Sequence, residues 1–233
     1  MSRTEAAAVA TRLRGLAFDG QAIIVTCQPS LPRSAVRQAR LHEARLRRDG
    51  SLGFARRGAW LDEEARYSLT PEVLAYRIGR LARRADVVDA ACGAGGNAIG
   101  FARAGCRVLA IERDRERAEM ARHNLRLYGV QHRVRVRCGD ALEHVARLSV
   151  PLVFVDPPWG REYDPERVTV DDLPLLRDLL EQVPANAAVW AKVPSSFDTR
   201  GCPARVLACF GAGSGDRRRV KFLLLRFPPR GRT

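Results

Sequence analysis

A chain of 233 residues, 46% of them hydrophobic and 28% charged, has the size of one α/β domain with an extension, and no apolar run reaches the roughly 20 residues of a membrane-spanning helix. Forty Lys and Arg against 26 Asp and Glu leave a net charge of +14, the footprint expected of a nucleic-acid binder. Six cysteines (27, 92, 106, 138, 202 and 209) form no C-x-x-C pair and no ligand spacing with the four histidines, so neither a zinc site nor a disulfide framework is expected.

Only Lys192 and Lys221 are lysines; compositional bias explains Arg replacing Lys but not the surplus of base over acid. The start of the chain, MSRTEAAAVATRL, carries charges at Arg3, Glu5 and Arg12 and lacks a signal-peptide core, so a cytoplasmic protein is expected.

Residues 1–65 read as a basic extension, a candidate RNA-binding subdomain on the substrate side, and residues 66–233 as the main domain. Within the extension, 22–26 (AIIVT) is a short apolar strand, and Pro29 and Pro32 interrupt the chain. Residues 34–48 follow as a helix on which Arg37, Arg40 and Arg47 share one face. That face suits phosphates, and equally describes an ordinary solvated face. Residues 61–81 then lead into the main domain. Thr70 followed by Pro71 predicts a helix start with Thr70 as N-cap, and Leu74, Ile78 and Leu81 recur on a core-facing side. This helix, just before the first strand of the domain, can press Tyr67 and Thr70 against a ligand.

The stretch VVDAACGAGGN, residues 87–97, organises the rest. Val87 and Val88 read as a strand buried on both faces, ending at Asp89. Cys92, Gly93, Gly95 and Gly96 make a turn that lets a ligand approach backbone, and Asn97 opens and caps a helix. Cys92 reads as a small packing residue of this turn rather than a nucleophile. The glycines read G-A-G-G, so the dinucleotide fingerprint G-x-G-x-x-G is not met. A second strand, 107–111, ends on Glu112, followed by Arg113 and a helix over 113–128 stopped by Gly129. An acid at Asp89 suits a cationic amino-acid group, and an acid at Glu112 accepts two ribose hydroxyls. A ligand with both and no phosphate is S-adenosylmethionine (SAM). The plain alternative is an ordinary glycine turn of an α/β protein.

A third strand, 134–137, leads to Asp140 and Ala141, where an acid can take the exocyclic amine of adenine, and a helix follows over 142–148. The fourth strand, 151–155, delivers Asp156-Pro157-Pro158-Trp159 to the same sheet edge. Prolines fix the backbone and donate no hydrogen bond, so the Asp156 carboxylate and the Pro157 carbonyl can hold the two hydrogens of a planar amine. Trp159 offers a face for stacking a base, and the amine is activated by positioning alone. Asp156, Pro157 and Trp159 are the expected catalytic residues, with Asp156 also beside the cofactor; Trp159, Tyr163, Arg37, Arg40 and Arg219 are the expected substrate contacts. The plain alternative is a rigid Pro-Pro turn beside a core Trp. A helix over 171–182, a strand over 187–192 and a hairpin of 205–210 with 220–227 complete a doubly wound, mostly parallel seven-stranded sheet with one antiparallel strand.

D-P-P-W is similar to the D/N-P-P-Y/F/W motif of amino methyltransferases. More closely, the chain resembles the RNA cap guanine-N2 methyltransferase (trimethylguanosine synthase) family. The resemblance lies in LDEEARYSLTPE (61–72), VVDAACGAGGNAI (87–99), AIERD (110–114), ARHNLRLYGV (121–130) and DPPWG (156–160). It implies a class I, Rossmann-like methyltransferase fold with SAM as donor. It also implies guanine N2 as acceptor, cofactor contacts from Thr70, Asp89, Glu112 and Asp140, and a base stacked on Trp159. Eukaryotic members carry Ser where this chain has Asp156, and Gly160 is followed here by Arg161 rather than a second Gly. RNA is therefore the expected partner, with no membrane and no metal, and an oligomeric state the residues leave open. Methylation of DNA adenine N6 or of a protein glutamine uses the same amine clamp. A binder of SAM and RNA without turnover is the reading outside the enzymes.

Overall fold

A computed structural model describes residues 17–18, 21–22, 32, 53–147, 150–159, 164, 166–211 and 220–230. The chain divides into two compact units, Met1–Arg57 and Gly58–Thr233, a division upstream of residue 65. In the smaller unit, Ala17–Phe18 pairs antiparallel with Gln21–Ala22. Residues 23–26 of the expected strand, and the arginine-bearing helix over 34–48, lie outside the described residues.

The larger unit is built on one sheet. β1 (Asp86–Asp89), β2 (Arg107–Glu112), β3 (Val134–Cys138), β4 (Leu152–Val155) and β5 (Ala188–Pro194) pair in parallel. β6 (Arg205–Phe210) and β7 (Phe222–Phe227) form a hairpin whose second strand pairs antiparallel with β5. The order is β3-β2-β1-β4-β5-β7-β6, so β7 is the single reversed strand, as the sequence predicts. β4 (LVFV) and β5 (AVWAKVP) are buried along their whole length, the pattern of central strands covered on both faces. Connections run outward from β1 to β2 and β3, then return to β4 on the other side. That reversal between β1 and β4 opens a crevice at the carboxyl edge of the sheet.

Among the described residues of this unit six α-helices flank the sheet: α1 (Glu63–Ser68), α2 (Glu72–Leu81), α3 (Gly96–Arg103), α4 (Arg115–Leu127), α5 (Ala141–Val145) and α6 (Pro174–Gln182). α2 and α3 cross very closely. A Cβ at Gly79 would stand 2.6 Å from the Gly100 carbonyl oxygen, and a Cβ at Gly100 would stand 2.4 Å from the Ala75 carbonyl carbon. Only glycine permits that approach. It also corrects the expected face of α2: Leu74 and Ile78 are buried, but with Ala75 and Gly79 turned to α3 the companion Leu81 is 44% exposed.

Two expected caps are also corrected. Pro71, not Thr70, is the N-cap of α2, and no side chain caps it. α3 begins at Gly96 behind Gly95, which takes the left-handed conformation (φ 91°), so Asn97 lies inside the first turn and does not cap it. Both side chains are engaged elsewhere, as described below. α4 starts at Arg115 because Asp114 accepts from the Arg117 amide, later than the expected start at 113. α6 starts with Pro174 in its first turn rather than at 171.

Candidate active site

Each parallel strand from β1 to β4 hands the chain to an acid at the carboxyl edge. Asp89 ends β1, Glu112 ends β2, Asp140 follows β3, and Asp156 follows β4. The turn after β1 is pinned to its neighbours by backbone. The Cys92 amide donates to the Ile111 carbonyl (2.9 Å) and the Gly93 amide to Glu112 Oε2 (2.8 Å). Asn124, fully buried on α4, donates to the Ala94 and Trp60 carbonyls (both 2.9 Å) and so fixes the back of the turn. A Cβ at Gly95 would come within 3.3 Å of the Ala121 Cα, whereas one at Gly93 would meet nothing within 4 Å. The turn is therefore packed on its helix side and open on its sheet-edge side.

Glu112 is held by two amides, Gly93 on Oε2 and Asp114 on Oε1 (2.9 Å), which leaves one lone pair on each oxygen. Asp140 caps α5 through Oδ1 to the Leu142 amide (2.8 Å). Ala141 behind it is buried, and Arg113 beside Glu112 is exposed. Cys92 is buried next to acids; desolvation first, then the charges of Asp89 and Glu112, push its thiol well above its usual range. It stays a protonated packing residue, not a nucleophile.

Asp89 is the least satisfied group in the described structure. It is 0% exposed and neither carboxylate oxygen has a partner in hydrogen-bond geometry; the Asn97 Oδ1 is likewise buried and unpartnered. Desolvation, reinforced by the charges of Asp156 and Glu112, pushes the Asp89 carboxyl up to about 8, and the Ala91 and Ala98 amides offset this only in part. Three acids, Asp89, Glu112 and Asp156, converge beside the glycine turn, and a cation among them would relieve their mutual repulsion. Vicinal hydroxyls and an adenine amine would find acceptors at Glu112 and Asp140. The residues present thus fit SAM.

Asp156 is clamped on one side only. Its Oδ2 accepts from Thr70 Oγ1 (3.3 Å), Asn97 Nδ2 (3.2 Å) and Lys192 Nζ (2.7 Å). Its Oδ1 accepts no hydrogen bond among the described residues. These contacts take up the Thr70 and Asn97 side chains that the sequence reading placed as caps. Lys192, 6% exposed in the middle of β5, was missed by that reading. Its signal was a charge inside an otherwise apolar strand. Trp159 is half-buried beside it: the indole Nε1 donates to the Lys192 carbonyl (3.4 Å), and Lys192 Nζ lies 5.4 Å from the ring centroid. Pro157 is buried between Asp156 and the exposed Pro158.

Thus Thr70, Asp89, Asn97, Asp156 and Trp159 gather around the tips of β1 and β4, with Glu112 and the glycine turn beside them. Tyr163, Arg37, Arg40 and Arg219, and the side chain of Tyr67, lie outside the described residues. Among the described residues no group of His, Cys, Asp and Glu could hold a metal ion.

Comparison with known proteins adds to this geometry. A family profile described as RNA cap guanine-N2 methyltransferase matches residues 84–173. The trimethylguanosine synthase of Schizosaccharomyces pombe is 34% identical over 168 residues, covering 66% of this chain and 69% of that protein. The trimethylguanosine synthase of Saccharomyces cerevisiae is 26% identical over 111 residues, and the match spans 35% of its length. Among solved structures, a methyltransferase from Porphyromonas gingivalis W83 superposes with a TM-score of 0.58 at 21% identity, over 99% of this chain and 59% of that one. An RNA methyltransferase from Salinibacter ruber, solved with S-adenosylhomocysteine, gives 0.50 at 23% identity, over 70% of this chain and 95% of that one. These two share the fold.

Proposed function

The chain belongs to the RNA cap guanine-N2 methyltransferase family and is a SAM-dependent RNA methyltransferase; on that premise we propose that it methylates the exocyclic N2 amine of a guanine. The observation that carries this reading is the one-sided clamp on Asp156. Three donors hold Oδ2 and leave Oδ1 turned loose at the tip of β4, where an amine hydrogen can be accepted. The Pro157 carbonyl is the second acceptor. With both hydrogens held, the nitrogen lone pair projects out of the amine plane, and reactivity comes from alignment rather than from a covalent enzyme intermediate. The proton the amine gives up has a base in Asp156 Oδ1.

Bound SAM supplies a sulfonium-activated methyl group. Asp89 and Asn97 hold the cationic amino-acid end, Glu112 the ribose hydroxyls, and Asp140 with Ala141 the adenine edge. Trp159, anchored through its indole nitrogen to β5, offers its ring to the acceptor base. The surplus of basic charge supports Arg37, Arg40 and Arg219 as separate phosphate contacts.

The test is transfer of a tritiated methyl group to RNA from the native host, followed by nucleoside analysis. Label in N2-methylguanosine is expected. Label in N6-methyladenosine, or in protein alone, overturns the proposal.

A further inference from the structure

β3 is the edge strand of the parallel half of the sheet, and its sequence VRVRC alternates strictly. Val134 and Val136 therefore face one side and Arg135 and Arg137 the other. Arg135 is in register with Leu109 of β2, which shares its face. The short helix α5 and the turn after it add His144 and Arg147. Leu109, Arg135, Arg137, His144 and Arg147 together line a cavity of about 340 Å³. The His144 ring lies over the end of β3, with Nε2 3.0 Å from where a Cβ at Gly139 would stand. The cavity thus begins next to Asp140, at the outer rim of the candidate active site.

The charge in this cavity is one-sided. Several arginines elsewhere on the described surface are answered by acids, as Arg107 is by Asp86, Arg117 by Asp62 and Glu64, and Arg200 by Asp198. Among the described residues Arg135, Arg137 and Arg147 make no ion pair, and no carboxylate lines the space. Three guanidinium groups around one hollow repel each other unless an anion sits between them, and the imidazole of His144 stands beside them as a further hydrogen-bonding group. Guanidinium forks match phosphate oxygens in geometry as well as charge. No Phe, Tyr or Trp lines the cavity, so it has no platform for a base and reads backbone alone.

We propose that this cavity is a phosphodiester-binding site that grips the RNA strand outside the reacting nucleotide, without regard to sequence. It rests on the reading of the protein as an RNA methyltransferase and extends the substrate path along the β3 edge.

The experiment compares the wild type with a variant carrying Arg135→Ala, Arg137→Ala and Arg147→Ala, and with the corresponding triple Lys variant. RNA affinity is read as a function of salt, KM and kcat with a long acceptor RNA and a guanine-containing dinucleotide, and SAM affinity as a check of folding. For the Ala variant, KM for the long RNA should rise at least tenfold and the salt slope should flatten by about two, at about 0.7 per lost contact to a single strand. Its kcat, its SAM affinity and its KM for the dinucleotide should not change. The Lys variant should keep most of the slope. An Ala variant with wild-type RNA affinity and salt slope overturns the site alone. A wild type that binds no RNA overturns the site together with the proposed function.

Discussion

Lys192 Nζ and Asp156 Oδ2 stand 2.7 Å apart, with 8% and 16% of their side chains exposed. The pair is a product of register. Val155 lies opposite Ala191 in the β4–β5 ladder, so the next residue of each strand is placed side by side. Lys192 also faces the rings of Trp159 and Phe222, at 5.4 and 5.1 Å from their centroids. It is the only cation paired with the acids of the site among the described residues. Replacing it with Met strands Asp156 in a buried setting next to Asp89. Breaking a buried pair from one side costs on the order of 3–5 kcal/mol. Lys192→Met should therefore lower the urea midpoint and cut kcat by about ten- to a hundredfold, if Asp156 must be held for the amine to align. Adding Asp156→Asn should return most of the stability, since an amide needs no counter-charge. Wild-type turnover in Lys192→Met would remove Lys192 from the account of the site.

The second prediction concerns pH. Asp89 has its carboxyl pushed up to about 8 by burial and by the charges of Asp156 and Glu112, against an ordinary value of 3.8. Between those two values the unfolded chain has released the proton and the folded chain keeps it. Stability of the ligand-free protein should therefore be greatest at the acid end of this window and fall as pH rises toward about 8. Asp89→Asn has no such proton to lose. Its melting temperature should match the wild type near pH 5 and exceed it above pH 8. A cationic ligand reverses the preference, because it needs the ionised carboxylate. SAM affinity of the wild type should climb with pH up to about 8, with proton release on binding, and Asp89→Asn should lose both the affinity and the slope. Calorimetry in two buffers of different ionisation enthalpy measures the proton. A flat SAM affinity from pH 6 to 9 would contradict the assignment.

The sheet and its acids were legible in the sequence because their signals are local. Apolar β-branched runs end on Asp89, Glu112 and Asp156, and a single residue type at a strand end is enough to place each on one edge. Thr70 and Asn97 were harder. Both look like helix caps, and a local reading assigns their polar atoms to the nearest amides. In the structure those atoms reach Asp156, far away in the chain, which only the assembled sheet brings near. Lys192 had no local partner at all. Its presence inside AVWAKVP marked an anomaly, but its counter-ion follows from strand order and register, neither of which is written in β5 itself.

Packing under the site supports a third prediction. A methyl group at Gly100 would overlap the Ala75 backbone, at 2.4 Å from its carbonyl carbon and 2.5 Å from its oxygen. No flexible side chain can yield there, so α2 and α3 must separate. Overpacking of this kind costs about 1–3 kcal/mol. α2 begins directly after Thr70, whose hydroxyl reaches Asp156 at 3.3 Å. Gly100→Ala should thus lower stability in urea and also reduce kcat, whereas Gly129→Ala, where a Cβ would meet nothing within 4 Å, should lose stability through its positive φ alone and leave kcat unchanged. Equal kcat in the two variants would separate the helix crossing from the catalytic geometry.

Trp159 gives the last prediction, because its two attachments separate orientation from stacking. The indole nitrogen donates to the Lys192 carbonyl, and the ring packs against the core beneath β5 while remaining part-exposed. On the proposed reading this ring is the platform on which the acceptor base stacks. Trp159→Ala removes both the platform and the anchor, and base–aromatic stacking is worth about 1–3 kcal/mol per base. KM for RNA should rise by roughly ten- to a hundredfold. SAM affinity should not move, since the Asp89, Glu112 and Asp140 acceptors are untouched. Trp159→Phe keeps a flat ring but loses the hydrogen bond, so it should recover most of the RNA affinity with a looser ring and a lower kcat. Steady-state kinetics with a guanine dinucleotide, too short to span the arginine-lined cavity, isolates the stacking. If Trp159→Ala leaves KM for the dinucleotide unchanged, the indole is a packing residue and the acceptor base lies elsewhere.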